Sequence, residues 1–469
     1  MSNSCTRRKF LRFAALGASG VLLASCQPKI VKEVVKETVE VEKEKVVEKT
    51  VVVEKKVEKE ITKVVEKAVT KAPVKGEMRL ATINDASVNA VMDILLAGFG
   101  TRYPEVKVKI EYQVGDYSER MYTQAAAGNL ADAVWTANLF TLGFVANGVL
   151  KDLMPFIEKD KEFNLDDIYP VILSEARIEG NPGLFYLPAS LDVVTMFYNK
   201  TALEQAGAAL PTADWTWADF RDAAKALTSS ADKQFGWAYV NDGSEDTVWR
   251  FLAVLWQAGG DLLNADNTAS ALDSDAGRRA MQMLYDMAVT DKSVYLDKGD
   301  GNYLNLFNAG KIAMLWTGPW DISSINSDVD YGVEILPADV THATIAGPDN
   351  YVVLDNGDQQ VANAWAFIQW FCSPEVHLDY AIATGHLPIR KSETQLPAYQ
   401  DYLAKYPAAE VFVANLDNVT KARPNIPTYP KISIALGQAV QSVLLGRAQP
   451  DQAITVASQA IDAILATGQ

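Results

Sequence analysis

Ten tryptophans lie between positions 135 and 370: Trp135, Trp215, Trp217, Trp237, Trp249, Trp256, Trp316, Trp320, Trp365 and Trp370. Flat aromatic faces stack on the C–H faces of sugar rings, while Asp, Asn and Gln satisfy hydroxyls, so a site rich in both suits neutral polyols. Core packing claims most of these indoles. Trp365 and Trp370 sit in an apolar helical stretch, Ala362 to Cys372, and Trp316 ends the apolar run from Ile312. Trp217 follows Thr216, an N-cap with Asp219 in capping-box position. Trp320 differs, because Thr317-Gly318-Pro319 breaks the strand and leaves its ring in a turn, where binding residues concentrate.

Other chemistries find little support. Neither a Walker loop nor Gly-x-Gly-x-x-Gly occurs, and Gly-x-Ser-x-Gly is absent from the globular part. Three histidines, His342, His377 and His386, leave little room for an imidazole metal site; His377 and His386 lie in no Cys/His cluster of metal-ligand spacing and are read as surface or capping residues. No metal and no cofactor is expected. Acidic residues abound, so a glycosidase pair is not excluded by counting, but nothing singles one out. Of Cys5, Cys26 and Cys372, only the last stands in the globular part, in an apolar stretch where a thiol behaves as a small buried hydrophobe.

The 469 residues carry a formal charge of −16, unevenly spread. Residues 1–28 hold four basic side chains and no acid, residues 29–76 sum to +3, and residues 77–469 to −23. A body this acidic argues against a nucleic-acid partner, whose affinity comes from Lys and Arg neutralising phosphates. The first segment has a basic start, an apolar run from Phe13 to Ala24, and small residues ahead of Cys26, the layout of a cleaved export signal over 1–25. Twelve apolar residues are too few to cross a bilayer core of ~30 Å. Arg7-Arg8 resembles the twin-arginine consensus, and Leu23-Ala24-Ser25-Cys26 resembles a bacterial lipobox, which would make Cys26 the lipidated first residue and place the protein on the extracytoplasmic face of the membrane.

Residues 31–71 are nearly a four-letter alphabet of Val, Lys, Glu and Thr, too simple to build a core. The stalk, 26–76, is expected to act as a spacer, either a solvated tether or a self-associating helix. Beyond it the pattern alternates. Met78 to Ile83 reads as a strand, Ser87 to Thr101 as a helix, Val106 to Ile110 as a strand, with similar units following through Gly148. Such alternation predicts α/β layers around mostly parallel sheets, and nearly 400 residues predict two lobes.

At this point the chain resembles the extracellular solute-binding proteins of ABC importers, in the class that includes maltose/maltodextrin-binding proteins. Four stretches carry the resemblance: Ala125 to Asp132 leading to Gly148-Val149-Leu150; Phe197-Tyr198-Asn199-Lys200 with Thr216-Trp217; Phe307 to Met314 through Gly318-Pro319-Trp320; and Ala364 to Phe371 with Ser373-Pro374-Glu375 and Thr384 to Pro388. It implies an α/β, two-lobed periplasmic-binding-protein-like fold (type II) with hinge crossovers and a central ligand cleft. Lobe one would take 77–188 and 350–408, lobe two 189–349 and 409–469. Trp320 matches a position that stacks on sugar in the maltodextrin-binding relatives; Asn138, Trp249 and Tyr429 are weaker matches, and Trp135 and Asp192 neighbour cleft-lining segments. The implied function is a non-enzymatic receptor for a small-molecule solute, a mono- or oligosaccharide, that closes on its ligand and delivers it to ABC permease subunits. The rival expectation is a secreted carbohydrate-active enzyme on the same lipid anchor.

Overall fold

The computed structural model describes residues 74–113, 117–178 and 181–467; the expected export signal, Cys26 and nearly all of the stalk lie outside them. The chain begins with β1 (Gly76–Ile83), β2 (Val106–Gln113) and β3 (Ala133–Ala137). A small antiparallel hairpin follows, β4 (Arg177–Ile178) and β5 (Asn181–Leu184), then β6 (Tyr186–Val193), which passes almost directly into β7 (Thr195–Asn199). Next come β8 (Phe235–Val240), β9 (Val294–Asp297), β10 (Ile312–Thr317), β11 (Tyr331–Glu334) and β12 (Ala346–Val353). Two five-stranded sheets result, ordered β2-β1-β3-β12-β6 and β11-β7-β10-β8-β9.

The sheets are mixed, which corrects the expectation of mostly parallel ones. β1 runs parallel to β2 and β3, and β8 parallel to β9 and β10. β12 is antiparallel to β3 and β6, and β7 to β10 and β11. The antiparallel strands are those at or beside the crossings between lobes, where the chain arrives from the opposite side. β6, at the edge of its sheet, and β7, inside the other, are buried along their whole length.

The crossings converge on one residue. Val194 N donates to Ile345 O at 3.1 Å, and Val194 O accepts from Thr344 Oγ1 at 2.6 Å and Asn415 Nδ2 at 3.0 Å. Three passages of the chain between the lobes are therefore tied together at Val194. They involve residues 194, 344–345 and 415, and β6 and β12 stay paired up to Val193 and Ala346.

Helices flank the sheets: α1 (Ala86–Arg102), α2 (Asn138–Ala146), α3 (Trp217–Ala226), α4 (Glu245–Gln257), α5 (Asp358–Phe371), α6 (Pro374–Thr384), α7 (Tyr429–Leu444) and α8 (Pro450–Thr467) are used below. Local sequence explains their starts. Asp85 caps α1 by accepting from Ser87 N and Val88 N, and the Thr216–Asp219 capping box forms at α3, where Trp217 Nε1 donates to Gln257 Oε1 at 2.8 Å. In the first lobe Phe99, Tyr351, Phe367, Trp370 and Phe371 pack edge-on or tilted. In the second, Phe220, Trp237 and Trp316 form the centre. Each fully buried ring of this kind contributes roughly 2–3 kcal/mol. Cys372 is buried as expected, and burial pushes its thiol up to about 12. His377 is not a surface or capping residue: it is fully buried, with Nδ1 2.9 Å from Glu393 Oε2 and Nε2 3.2 Å from Ala189 O.

Candidate ligand-binding cleft

A cavity of about 590 Å³ opens between the two sheets, within the usual size of small-molecule sites. From the first lobe it is lined by Ile83 at the C-terminal end of β1, Asp85, Ser87 and Val88 at the start of α1, Trp135 and Ala137 on β3, Asp192 on β6, and Tyr380, Thr384 and His386 at the end of α6. From the second come Glu245, Asp246 and Trp249 in the first turns of α4, and Trp320, Asp321 and Ser324 after β10. Gly347 and Asp349 of β12 and Arg423 complete it. Ends of parallel strands and starts of helices meet there, the usual place for ligands in α/β folds.

One wall is aromatic. β10 stops at Thr317, and Pro319–Ser324 forms a short 3₁₀ turn that lifts Trp320 out of the sheet. The indole then folds back over Gly318: a Cβ there would stand 1.9 Å from Trp320 Cζ3. Trp249 lies beside it, ring centroids 5.6 Å apart and planes tilted by 36°. Gly347 faces Trp249, since a Cβ there would come within 3.2 Å of its Cζ2. Both rings are half-buried against the second lobe's core, and Trp135 lies on the opposite lobe with 7% of its surface exposed.

Of the residues singled out from sequence, Trp320, Trp249, Trp135 and Asp192 thus meet at one cavity. Tyr429 does not line it. It opens α7 fully buried, because Tyr429, Ile432, Leu436, Val440 and Val443 form that helix's core-facing stripe. Its hydroxyl donates to Glu245 Oε1 at 3.0 Å and so positions a carboxylate that does line the cavity. Asn138 begins α2, and its side chain lies outside the described residues. Sequence reasoning missed Asp85, Glu245, Asp321, Asp349, His386 and Arg423. For Asp85 the signal was present, an Asp directly before a helix; His386 was read as a surface or capping residue, whereas it lines the cleft.

The lining is strongly acidic. Among the described residues six carboxylates (Asp85, Asp192, Glu245, Asp246, Asp321, Asp349) face one guanidinium, Arg423, which pairs with Glu245 at 3.2 Å. Asp246 pairs with the buried Arg250 beneath it. Burial pushes the Asp321 carboxyl up to about 6, against hydrogen bonds from Thr317 Oγ1 at 2.6 Å and Tyr303 OH at 3.1 Å. Burial also raises Asp349 to about 6, and burial together with the charge of Asp349 raises Asp192 well above its ordinary range. His386 is driven down to about 4 by burial and is neutral at physiological pH. Asp192, Asp349 and His386 each offer a ligand atom within 4.8 Å of the others, a spacing that could also hold a cation.

Residues 84–377 match the family model described as bacterial extracellular solute-binding protein. Among solved structures the chain is similar to the ABC substrate-binding protein of Listeria monocytogenes in complex with cycloalternan, with 26% identity and a TM-score of 0.75 over 84% of this chain and 99% of that one. It is similar too to the GacH receptor of Streptomyces glaucescens, solved unliganded and with acarbose, with 25% identity and a TM-score of 0.73 over 84% and 99%. The sn-glycerol-3-phosphate-binding periplasmic protein of Escherichia coli is 22% identical over 391 residues, 78% of this chain and 87% of that protein.

Proposed function

The chain belongs to the bacterial extracellular solute-binding protein family, and from that premise we propose that it is a carbohydrate receptor delivering its ligand to an ABC importer. The observation that carries this reading is the Trp249–Trp320 wall inside a cleft rich in carboxylates: apolar ring faces for the C–H surfaces of a sugar, acceptors for its hydroxyls. Trp135 and Asp192 would meet the ligand from the first lobe, and Trp249 and Trp320 from the second. The lobes are 74–193 with 346–415, and 195–344 with 419–467.

The cleft's charge decides between ligand classes. A phosphate such as that of sn-glycerol 3-phosphate would approach six carboxylates, with the lining guanidinium of Arg423 engaged by Glu245. Coulomb repulsion of this kind costs about 1 kcal/mol per unit pair at 4 Å even in water, and several times more in a half-closed cleft. An uncharged or cationic saccharide avoids that cost.

The mechanism is closure without covalent chemistry. Ligand held by one lobe gains the contacts of the other only when the three passages at Val194 bend, so it stabilises the closed form by its differential affinity. The closed form docks on permease subunits, with ATP hydrolysis carried by separate proteins. The molecule works on the extracytoplasmic face, held by a lipid on Cys26 with the stalk as spacer; among the described residues no helix is long and apolar enough to cross a membrane. A glycosidase reading is less favoured. Such an enzyme needs one acid and one nucleophile or base flanking the scissile bond, and nothing in the cleft singles out such a pair among its carboxylates. Titration with a panel of saccharides, followed by tryptophan fluorescence and by chromatography of the sugars, tests the proposal. Saturable quenching with intact sugar supports it; cleavage products, or no response to any saccharide, would sink it.

A further inference from the structure

Asp192, Asp349 and His386 turn three acceptors toward one another. Asp192 pairs with Gly347 and Asp349 with Ser190 across β6 and β12, so the two carboxylates are diagonal neighbours on one face with no side chain at Gly347 to separate them. Donors are scarce. Ser190 Oγ donates to Asp349 Oδ2 at 3.0 Å, but Asp192 Oδ1 has no hydrogen-bond partner among the described residues, although Asp192 is only 8% exposed. The imidazole supplies none. Thr384 Oγ1 donates its single proton to Tyr380 O at 2.8 Å, so at 2.6 Å it accepts from His386 Nδ1–H. The other ring nitrogen, Nε2, keeps its lone pair and stands 3.7 Å from Asp192 Oδ2. With both carboxylates ionised the facing acceptors repel, and a buried carboxylate oxygen lacking a donor is destabilising. Countercharge is also short, since Arg250 is engaged with Asp246, and Arg423, whose charge reaches Asp349, is ion-paired with Glu245.

We infer that the ligand of this cleft carries a protonated amine, seated among Asp192, Asp349 and His386 Nε2, with its ring on Trp249 and Trp320: an amino sugar or amino-polyol. The inference rests on the carbohydrate-receptor reading and specifies its substrate class. An ammonium brings three N–H donors and one positive charge, one donor for each waiting acceptor. The indole wall is adjacent, because Gly347, which pairs with Asp192, also abuts Trp249, and an ammonium near such rings gains a cation–π attraction. A metal ion could use the same three atoms, but it would leave the aromatic wall without a role and would need further ligands.

The test is a fluorescence titration of the full chain with matched pairs that differ only in amine against hydroxyl: glucosamine and glucose, galactosamine and galactose, the glucosamine disaccharide and cellobiose. Calcium and zinc chloride are titrated alone in parallel. At neutral pH at least one amine is expected to bind roughly tenfold tighter than its hydroxyl partner, and that preference should fall to about threefold or less in Asp192→Asn and in Asp349→Asn. Thermal melts show which variants fold; if Asp192→Asn does not, half-buried Asp349 still decides the matter. Equal or better binding of the hydroxyl member in every pair overturns the inference and leaves the receptor reading standing. So does a preference that survives the variants, or saturation by metal ions alone. No response to any sugar defeats both.

Discussion

The indole of Trp320 lies across the backbone of Gly318, so closely that a Cβ on Gly318 would stand 1.9 Å from its Cζ3. Gly318 itself is in ordinary extended geometry, φ −128° and ψ −173°, so an alanine there meets no backbone penalty. The constraint is purely one of space. Gly318→Ala should swing the ring off its seat and break its contact with Trp249. Affinity for the ligand is expected to weaken about tenfold, or ~1.4 kcal/mol, with the melting temperature little changed because the ring is half-exposed. Unchanged affinity would show that Trp320 does not need this pose to bind.

Gly385 ends α6 in the left-handed region at φ +79°, and a Cβ there would stand 2.6 Å from the carbonyl oxygen of Pro319 on the opposite lobe. An alanine therefore meets two obstacles. The backbone cost is about 1 kcal/mol, and the second obstacle acts only when the lobes approach. Gly385→Ala should hold the cleft open: in small-angle scattering with saturating ligand, its radius of gyration is expected to stay above that of the wild type. If ligand compacts both proteins equally, the Gly385–Pro319 contact does not limit closure.

How much of this was readable beforehand follows from where the information resides. The β1–α1–β2 opening appeared within one to three residues of its observed bounds, because alternation and helical spacing are local. β12 was not readable as a strand from its start. Gly347-Pro348-Asp349-Asn350 has the composition of a turn, yet it pairs with β6, tolerated by a register shift between Asp349 and Asn350. Asp349 was missed for that reason. His386 was visible as a residue but not as an acceptor, since its tautomer is fixed by Thr384 and Tyr380. Tyr429 went the other way: its place in the family resemblance suggested a binding role, and the helical repeat running on from it buries it.

Asp321 makes stability pH-dependent in a defined direction. It is 5% exposed, and burial raises its carboxyl to about 6, above the ~3.9 of an unfolded chain. The folded state thus binds this proton more tightly than the unfolded state does. The group's contribution is greatest below pH ~4, declines as pH rises through about 6, and stays lost above. Asp321→Asn cannot titrate. Chemical denaturation of wild type and variant should diverge by on the order of 2–3 kcal/mol between acid and neutral pH, the wild type losing more. Parallel pH profiles would show that Thr317 and Tyr303 already stabilise the ionised form fully.

The anchor is tested at Cys26, the residue that follows the apolar run. Cys26→Ala removes the thiol that a lipid would modify while leaving the globular sequence intact. The variant is expected in the soluble extracytoplasmic fraction, with wild-type ligand affinity. Retention in the membrane fraction would mean that something other than a lipid on Cys26 holds the chain there.

Two tryptophans, one on β8 and one in the 3₁₀ turn after β10, separate binding from folding. Trp237 is fully buried and packs against Phe220, Tyr239 and Trp316, whereas Trp320 is half-buried and faces the cavity beside Trp249. Removing a core indole deletes its transfer energy and leaves a void, so Trp237→Ala should cost about 3–5 kcal/mol of stability. Its folded fraction should bind ligand normally, since the ring does not line the cavity. Trp320→Ala should do the reverse, weakening binding about tenfold or more with nearly unchanged melting. Calorimetric melts and fluorescence titrations on the same two proteins read both axes. A large stability loss in Trp320→Ala would reassign that ring to the core, and the sugar-stacking wall would then reduce to Trp249.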